Sequence, residues 1–267
     1  MCAHSAYEDP VNRNETRLSD RDFVGALEKG LAVIQALGAA QSRLTLSEVA
    51  RGAGLTRAAA RRYLLTLHRL GYADYDGRRF ALTPLVLRLG YAYFSSASLP
   101  KLAQPVLERI GERTHEVASL AVLDGSDILL LVQSTRRRIL SAASGIGTRM
   151  PAYCTAIGRV LLAGRPNLEV ERFVKSLRPK KLTPQTRTGS RELLDEISKA
   201  RQQGYAVSDE ELEIGLRSIA VPISNSRGET VLGLAISLQA ARMTPAQMVE
   251  QLLPELRSGA DKLSAMI

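Results

Sequence analysis

The 267-residue sequence has no tryptophan, two cysteines and three histidines. The cysteines, Cys2 and Cys154, cannot form a disulfide framework, so we expect a protein of a reducing compartment. The histidines are isolated, with no carboxylate or cysteine at ligand spacing: His4, His68 and His115. This excludes the common zinc motifs and a catalytic triad, and the sequence predicts no metal site and no cofactor.

Long apolar runs are also missing. No stretch reaches the roughly 20 residues that span a bilayer, and residues 1–20 are polar and lack a signal-peptide core. We therefore expect a soluble, cytoplasmic protein with no membrane partner, whose residues 1–20 form a flexible arm. Enzyme motifs are absent too, because Gly145-Ile146-Gly147 lacks a third glycine and Ser144 lacks nucleophile-elbow spacing. The sequence thus predicts no catalytic residues.

Apolar residues and positive charge are plentiful. Hydrophobic residues make up 45% of the chain, and the formal net charge is +9. A chain of this length can hold two domains with cores of their own. The positive charge favours a polyanionic partner, but it is spread along the chain and supports nucleic-acid binding only weakly.

Residues 56–70, TRAAARRYLLTLHRL, have the pattern of a helix with a cationic face. Thr56 suits the N-cap position. Apolar positions recur at helical spacing and are expected to be buried: Ala60, Leu64, Leu67 and Leu70. The other side carries four arginines and no acid: Arg57, Arg61, Arg62 and Arg69. The small Ala58 and Ala59 between them allow close approach to an anionic surface.

Neighbouring segments complete a winged helix-turn-helix pattern. LSEVARGAGL predicts a short helix ending in a glycine turn, and residues 23–40 predict a first helix beneath it. The pair Asp76-Gly77 predicts a hairpin, the wing, with Arg78 and Arg79 at its tip. A helix-turn-helix pattern alone is weak evidence. The three elements in this order predict a domain over residues 21–84 that binds double-stranded DNA.

Thr83-Pro84 marks the end of this domain, and residues 85–99 are expected to form a linker helix. The segment LVLRLGYAYF, residues 85–94, is too apolar for one small domain to cover. We therefore expect it to pack against another copy or against the second domain. A homodimer, or a tetramer, is the resulting hypothesis, since a two-fold protein can read a two-fold operator.

Residues 100–267 predict an α+β domain with a mostly antiparallel sheet, covered by helices on one face and open to a small molecule on the other. The predicted strands are residues 117–122, 128–132, 138–142, 218–223 and 231–238. The predicted helices are residues 100–115, 155–163, 169–177, 190–204 and 245–266.

A glycine-bounded loop, residues 145–159, leads into one of these helices, with Thr155 as its cap. Free amides at a helix N-terminus attract a carboxylate. Arg149 can add a fixed charge, and Met150 and Tyr153 can flank an apolar body. The alternative is a loop that merely turns into a helix, and the residues alone leave both interpretations open.

The sequence resembles the IclR family of bacterial transcription regulators from Phe23 onward. The resemblance rests on ALEKGLAVIQAL, LTLSEVARGAGLTRAAARRYLLTLHRLGY, GTRMPAYCTAIGRVLLA and GYAVSDEELEIGLRSIAVPI. Within the family it is most similar to regulators of aromatic catabolism, the PcaR, PcaU and PobR type. The resemblance implies an N-terminal winged helix-turn-helix domain, a linker helix and a C-terminal GAF-like effector domain over residues 100–267.

The resemblance also implies site residues. It assigns DNA reading to Arg57, Ala58, Ala59, Arg61 and Arg62, which Thr56, Arg78 and Arg79 supplement from the pattern above. The implied effector residues, to which the loop pattern above adds Arg149, are Met150, Tyr153, Thr155, Ala156, Ile157, Gly158, Ser208, Asp209, Ser218, Ser237 and Gln239. Ser218 and Gln239 stand where some relatives have cysteine and serine, which leaves room for an acid larger than a two-carbon ligand.

The function implied is a ligand-responsive regulator of a catabolic operon for protocatechuate, 4-hydroxybenzoate or β-ketoadipate. A carboxylate effector would change operator affinity, or contact with RNA polymerase, through the linker. Three alternatives stay open: a family member that senses a small aliphatic acid, an enzyme acting on a phenolic acid, and an architectural DNA binder. The well-developed second domain disfavours the last.

Overall fold

The computed structural model describes residues 23–40, 42–90, 98–135 and 145–267. These residues fall into two compact units, one ending at residue 90 and the other beginning at residue 98. The predicted arm, the predicted strand 138–142 and residues 91–97 of the predicted linker lie outside the described residues. Among the helices that the structure describes, none combines the length and apolar character that a membrane span requires.

The described part of the first unit has the predicted winged helix-turn-helix arrangement up to residue 82. Its helices are α1 (Gly25–Gly38), α2 (Leu46–Gly52) and α3 (Arg57–Arg69). Its strands are β1 (Leu44–Thr45), β2 (Ala73–Tyr75) and β3 (Arg79–Leu82). The strands form an antiparallel sheet in the order β1-β3-β2.

Threonine side chains define where two of these helices begin. Thr45 accepts the Glu48 amide at 3.4 Å, and the Glu48 carboxylate accepts the Thr45 amide at 2.7 Å, which is a capping box. Thr56 caps α3 as predicted, by accepting the Ala59 amide at 3.2 Å. The prediction that Leu70 is buried is wrong: it is 59% exposed, because it follows the last turn of α3 and has left the buried face.

The predicted hairpin is present, and Thr83 precedes a helical turn as its sequence pattern indicates. Asp76 accepts the amides of Arg78 and Arg79 at 2.9 and 2.7 Å, and Gly77 has a left-handed φ of +94°. Thr83 accepts the Leu85 amide at 3.3 Å, and a 3₁₀ turn, Pro84–Val86, follows. Residues 87–90 of the predicted linker are helical, and residues 98 and 99 belong to the helix Ser98–Thr114 of the second unit.

The second unit is built on an antiparallel sheet with the order β6-β5-β4-β9-β8-β7. Its strands are β4 (Val117–Asp124), β5 (Asp127–Gln133), β6 (Arg149–Pro151), β7 (Ala206–Asp209), β8 (Leu216–Ser224) and β9 (Thr230–Gln239). Its helices are α4 (Ser98–Thr114), α5 (Ala156–Ala163), α6 (Asn167–Ser176), α7 (Ser190–Gln203), α8 (Pro245–Gln251) and α9 (Leu253–Ser264). This α+β architecture confirms the predicted fold class.

Helices cover both faces of this sheet, so the expectation of helices on one face only is wrong. Alternate side chains of β9 enter different cores: Leu234 and Ile236 lie with α4 and α9, whereas Ala235 lies with α5. A Cβ atom on Gly233 would lie 2.6 Å from a methyl carbon of Ile157. The small residues on this face therefore let α5 pack closely against the strands.

Two further local differences have simple causes. The strands β6 and β7 were not predicted as strands, because three or four residues are too few to show a periodic pattern. Residues 245–266, predicted as one helix, form α8 and α9 with Leu252 between them. Pro254 has no amide hydrogen and is tolerated only in the first turn of a helix, so a new helix begins there.

Candidate DNA-reading face and effector site

The N-terminal half of α3 presents a cationic face. Arg57, Arg61 and Arg62 are exposed, and none of the ion pairs among the described residues includes them. The opposite side is anchored by Ala60 and Leu64, which are fully buried. Thr56 and Ala58 are exposed and Ala59 is half-buried at the same end. This face is open to phosphates and to base edges.

The wing places two further arginines on the same unit. Arg78 and Arg79 are exposed at the turn between β2 and β3, and α3 packs against β2. Hydrogen bonds from the Arg79 and Arg78 amides hold the pKa of Asp76 below its usual range. Asp76 therefore stays ionised and stabilises the turn through these two amides. The side chains of Arg78 and Arg79 remain exposed.

Three of the predicted effector residues form a row across neighbouring strands of the second unit. Ser208 lies opposite Ser218, and Ser218 lies opposite Ser237. Each serine lies two residues from an alanine of the core beneath α5, namely Ala206, Ala220 and Ala235. Because strand side chains alternate between faces, this serine row lies on the α5 face of the sheet.

The start of α5 is joined to the serine row. The Ser208 hydroxyl donates to the Cys154 carbonyl at 2.8 Å. Thr155 is buried and accepts the Gly158 amide at 3.1 Å, which caps α5 as predicted. The amides of Ala156 and Ile157 have no hydrogen-bond partner among the described residues. The helix start thus brings two amides without partners near one end of the serine row, and such amides favour a carboxylate.

The first turn of α5 packs tightly against the residue Ala152 before it. A Cβ atom on Gly158 would lie 2.1 Å from the Ala152 carbonyl oxygen. Burial raises the pKa of the Cys154 thiol to about 12, so the thiol stays protonated and is a poor nucleophile. Cys154 therefore acts as a packed core residue at this position.

Arg149 lies apart from the serine row, on the edge strand β6. Its guanidinium forms ion pairs with Asp124 and, at 3.2 Å, with Asp127, both at the β4–β5 turn. Two carboxylates therefore neutralise the charge that the sequence analysis assigned to a ligand.

Two other predicted residues are engaged in structural contacts. The Tyr153 hydroxyl donates to the Lys180 carbonyl at 2.7 Å and accepts the Lys180 amide at 3.0 Å, beside the half-buried Met150. Asp209 pairs with Arg217 at 2.6 Å, and alternation places it on the sheet face opposite the serine row. Gln239 is exposed at the end of β9. Tyr153 and Asp209 therefore have structural partners of their own, separate from the serine row.

Two polar residues that the sequence analysis missed lie on the serine face. Ser119 of β4 is opposite Gln133 of β5, and the Gln133 side-chain amide lies 3.5 Å from the Ser119 hydroxyl. Ser119 belongs to the same face as Ala121, which is part of the core beneath α5. A serine inside the apolar segment VASLAV was the available signal, but only the strand register pairs it with Gln133.

A buried ion network behind α5 was also missed. Arg159 and Glu211 make two parallel hydrogen bonds of 2.7 Å, and both side chains are almost completely buried. Arg187 adds a third contact to Glu211, at 2.6 Å. The network fixes the connection between β7 and β8 to α5, so it holds Ser208 and the helix start in register.

Comparison with known proteins gives two family matches and a close relative. Residues 26–77 match the IclR helix-turn-helix domain, and residues 91–265 match the C-terminal domain of the bacterial transcriptional regulator IclR. The chain is 40% identical to the Pca regulon regulatory protein of Pseudomonas putida over 255 residues, which covers 95% of this chain and 88% of that protein.

Two solved structures extend the likeness to three dimensions. A transcriptional regulator from Rhodococcus sp. RHA1 is 45% identical, with a TM-score of 0.77 over 91% of this chain and 98% of that one. The inducer-binding domain of the PobR transcription factor from Acinetobacter, a double mutant in complex with 3-hydroxybenzoic acid, is 32% identical. Its TM-score is 0.61, and the match covers 64% of this chain and all of that one.

Proposed function

The chain belongs to the IclR family of bacterial transcriptional regulators, and from this premise we propose that it controls aromatic-acid catabolism in response to an aromatic carboxylate. The related PobR domain was crystallised with 3-hydroxybenzoic acid. The observation that carries the proposal is the combination of the serine row with the free amides of Ala156 and Ile157.

The chemistry of this site matches a hydroxylated benzoate. The amides at the start of α5 can bind the carboxylate, because the N-terminus of a helix favours negative charge. The hydroxyls of Ser208, Ser218 and Ser237 can exchange hydrogen bonds with ring hydroxyl groups. No catalytic group is assigned, since the site serves binding.

The proposed mechanism is a linked equilibrium in the cytoplasm. The effector binds the second unit, and its unequal affinity for two arrangements of the protein changes the affinity of α3 and the wing for double-stranded operator DNA, or contact with RNA polymerase. A homodimer or tetramer fits this role, because two reading heads bind a two-fold operator together. Leu87 and Leu89 at the start of the linker helix are 71% and 49% exposed, which supports contact with another copy.

Calorimetry with a panel of acids tests the effector class: protocatechuate, 4-hydroxybenzoate, β-ketoadipate and glyoxylate. We expect a hydroxybenzoate to bind best, and Ser218→Ala with Ser237→Ala to weaken it about tenfold, since each net hydrogen bond contributes about 0.5–1.5 kcal/mol. Ser224→Ala, at the far end of β8, is the matched control and should bind normally. Binding of glyoxylate alone would instead indicate the aliphatic alternative.

A further inference from the structure

Two side chains of α4 form hydrogen bonds to the end of β5 and to the residue Thr135 that follows it. The Gln104 side-chain amide donates to the Gln133 carbonyl at 3.1 Å and to the Glu108 carboxylate at 2.6 Å. Glu108 also accepts the Thr135 amide and the Thr135 hydroxyl, both at 2.9 Å. We call these four residues, Gln104, Glu108, Gln133 and Thr135, the α4–β5 clasp.

The clasp connects the two faces of the sheet. On one face, α4 is anchored by Ala103 and Leu107, which belong to the core opposite the serine row. On the other face, the Gln133 side chain lies beside Ser119. Gln133 is therefore held through its backbone by a helix on one face, while its side chain belongs to the polar group on the other.

A β-bulge produces this arrangement. The pairing of β4 with β5 shifts by one residue between Leu120 and Ala121. As a result, Leu131 and Val132 both enter the core with α4, and the next residue, Gln133, turns to the serine face. Bulges re-aim side chains in this way, and here the re-aimed side chain is an amide that can donate and accept hydrogen bonds.

The clasp also bonds β5 beyond the residues that pair with β6. The pairing of β6 with β5 covers residues 127–129, and Gly147 and Thr148 bond to Leu130. Past Leu130, the described residues offer β5 no further strand partner on that side, and Gln104 satisfies the Gln133 carbonyl instead. Three clasp hydrogen bonds therefore join this end of β5 to α4, while its pairing with β4 continues through Ser119 and Gln133.

The carboxylate of the clasp is ionised at neutral pH. Burial raises the pKa of Glu108, but hydrogen bonds from Thr135 and Gln104 outweigh this effect and hold the pKa below its usual range. Hydrogen bonds to an ionised acceptor are roughly twice as strong as neutral ones. The Glu108 carboxylate therefore binds Thr135 by two charge-assisted hydrogen bonds, which join α4 to the residues that follow β5.

We propose that Gln104 and Glu108 are positioning residues through which an effector on the serine face acts on α4, the helix that follows the linker in the chain. An acid that hydrogen-bonds to Ser119 or to the Gln133 amide changes the position of the end of β5. The clasp passes this change to α4 through the backbone at Gln133 and Thr135. The proposal rests on the function proposed above, because it requires an effector on this face.

The test measures coupling separately from binding in the full-length protein. Operator affinity is measured by fluorescence anisotropy with and without saturating protocatechuate or 4-hydroxybenzoate, and affinity for each acid by calorimetry. Allosteric effectors typically change affinity about 5–150-fold. The coupling factor is the ratio of operator affinity with the acid to operator affinity without it. We expect Gln104→Met, and Gln104→Met with Glu108→Gln, to bring this factor to within about twofold of unity. Affinity for the acid should stay within about threefold of the wild-type value.

Controls separate coupling from stability. Glu112→Gln changes an exposed carboxylate one turn further along α4 and should leave the coupling factor intact. Thr135→Val removes the hydroxyl donor and should weaken coupling, whereas Thr135→Ser keeps the hydroxyl and should restore it. If the Gln104 and Glu108 variants have a lower Tm but an unchanged coupling factor, the clasp only stabilises the fold. That result would overturn this inference and leave the proposed function standing. A wild-type protein that responds to neither acid would overturn the proposed function and the inference with it.

Discussion

At the scale of single residues, Gly158 is the position where one added carbon atom disturbs the proposed effector site most. A Cβ atom there would lie 2.1 Å from the Ala152 carbonyl oxygen, so Gly158→Ala must displace the backbone at the start of α5. We expect a loss of stability at the upper end of the roughly 1–3 kcal/mol typical of overpacking, together with weaker effector binding. Urea unfolding and calorimetry measure the two effects.

Gly145→Ala is the control for this substitution, because nothing lies within 4 Å of the position its Cβ would take. It should leave both stability and effector affinity close to the wild-type values. Equal behaviour of the two variants would mean that the loop before α5 is looser than the structure indicates.

At the scale of elements, the two halves of α3 should contribute unequally to DNA binding. Arg61→Ala with Arg62→Ala removes two exposed cations from the N-terminal half, and we expect specific operator binding to fall by about a hundredfold or more, since each arginine contact to a base contributes about 1–3 kcal/mol. Footprinting and anisotropy detect the loss, and effector affinity should not change.

Arg69→Ala provides the comparison within the same helix, because Arg69 is exposed at its C-terminal end. This variant should keep its sequence preference and lose at most a small, salt-dependent part of its affinity. A normal footprint from the double variant would show that α3 is not the reading helix.

At the scale of the whole molecule, the exposed leucines of the linker helix predict self-association. We expect the intact protein to sediment as a dimer or larger, and Leu87→Lys with Leu89→Lys to shift it toward monomer. Operator affinity should fall with it, because two linked heads bind more tightly than one. Leu168→Lys, at a leucine of α6 that is 59% exposed, should change neither property. A wild-type monomer at micromolar concentration would contradict the prediction.

Most elements were predictable because they depend on residues close together in the chain. Thr56 and Thr155 cap their helices through amides three residues ahead, and Asp76 bonds to amides two and three residues ahead. The alternation of β8 and β9 is likewise local, and these strands lie within one or two residues of their predicted bounds. The cationic face of α3 was visible for the same reason.

The composition of the candidate effector site was less predictable, because it depends on contacts between distant segments. Arg149 was a plausible ligand in sequence, but the fold brings two aspartates to it from the β4–β5 turn. Gln133 reaches the serine face only because a bulge changes the register of β5. The second layer of helices depends on small residues in neighbouring strands that together form a surface flat enough for α5.

By itself, then, the sequence determined the helix caps, the strand periodicity and the basic reading helix, since each depends on interactions within about four residues of the chain. The tertiary structure alone decided which charges are neutralised, which hydroxyls align across strands and which helix is hydrogen-bonded to the end of β5. Those outcomes depend on strand register and on ion pairs between segments up to dozens of residues apart, and no local pattern encodes them.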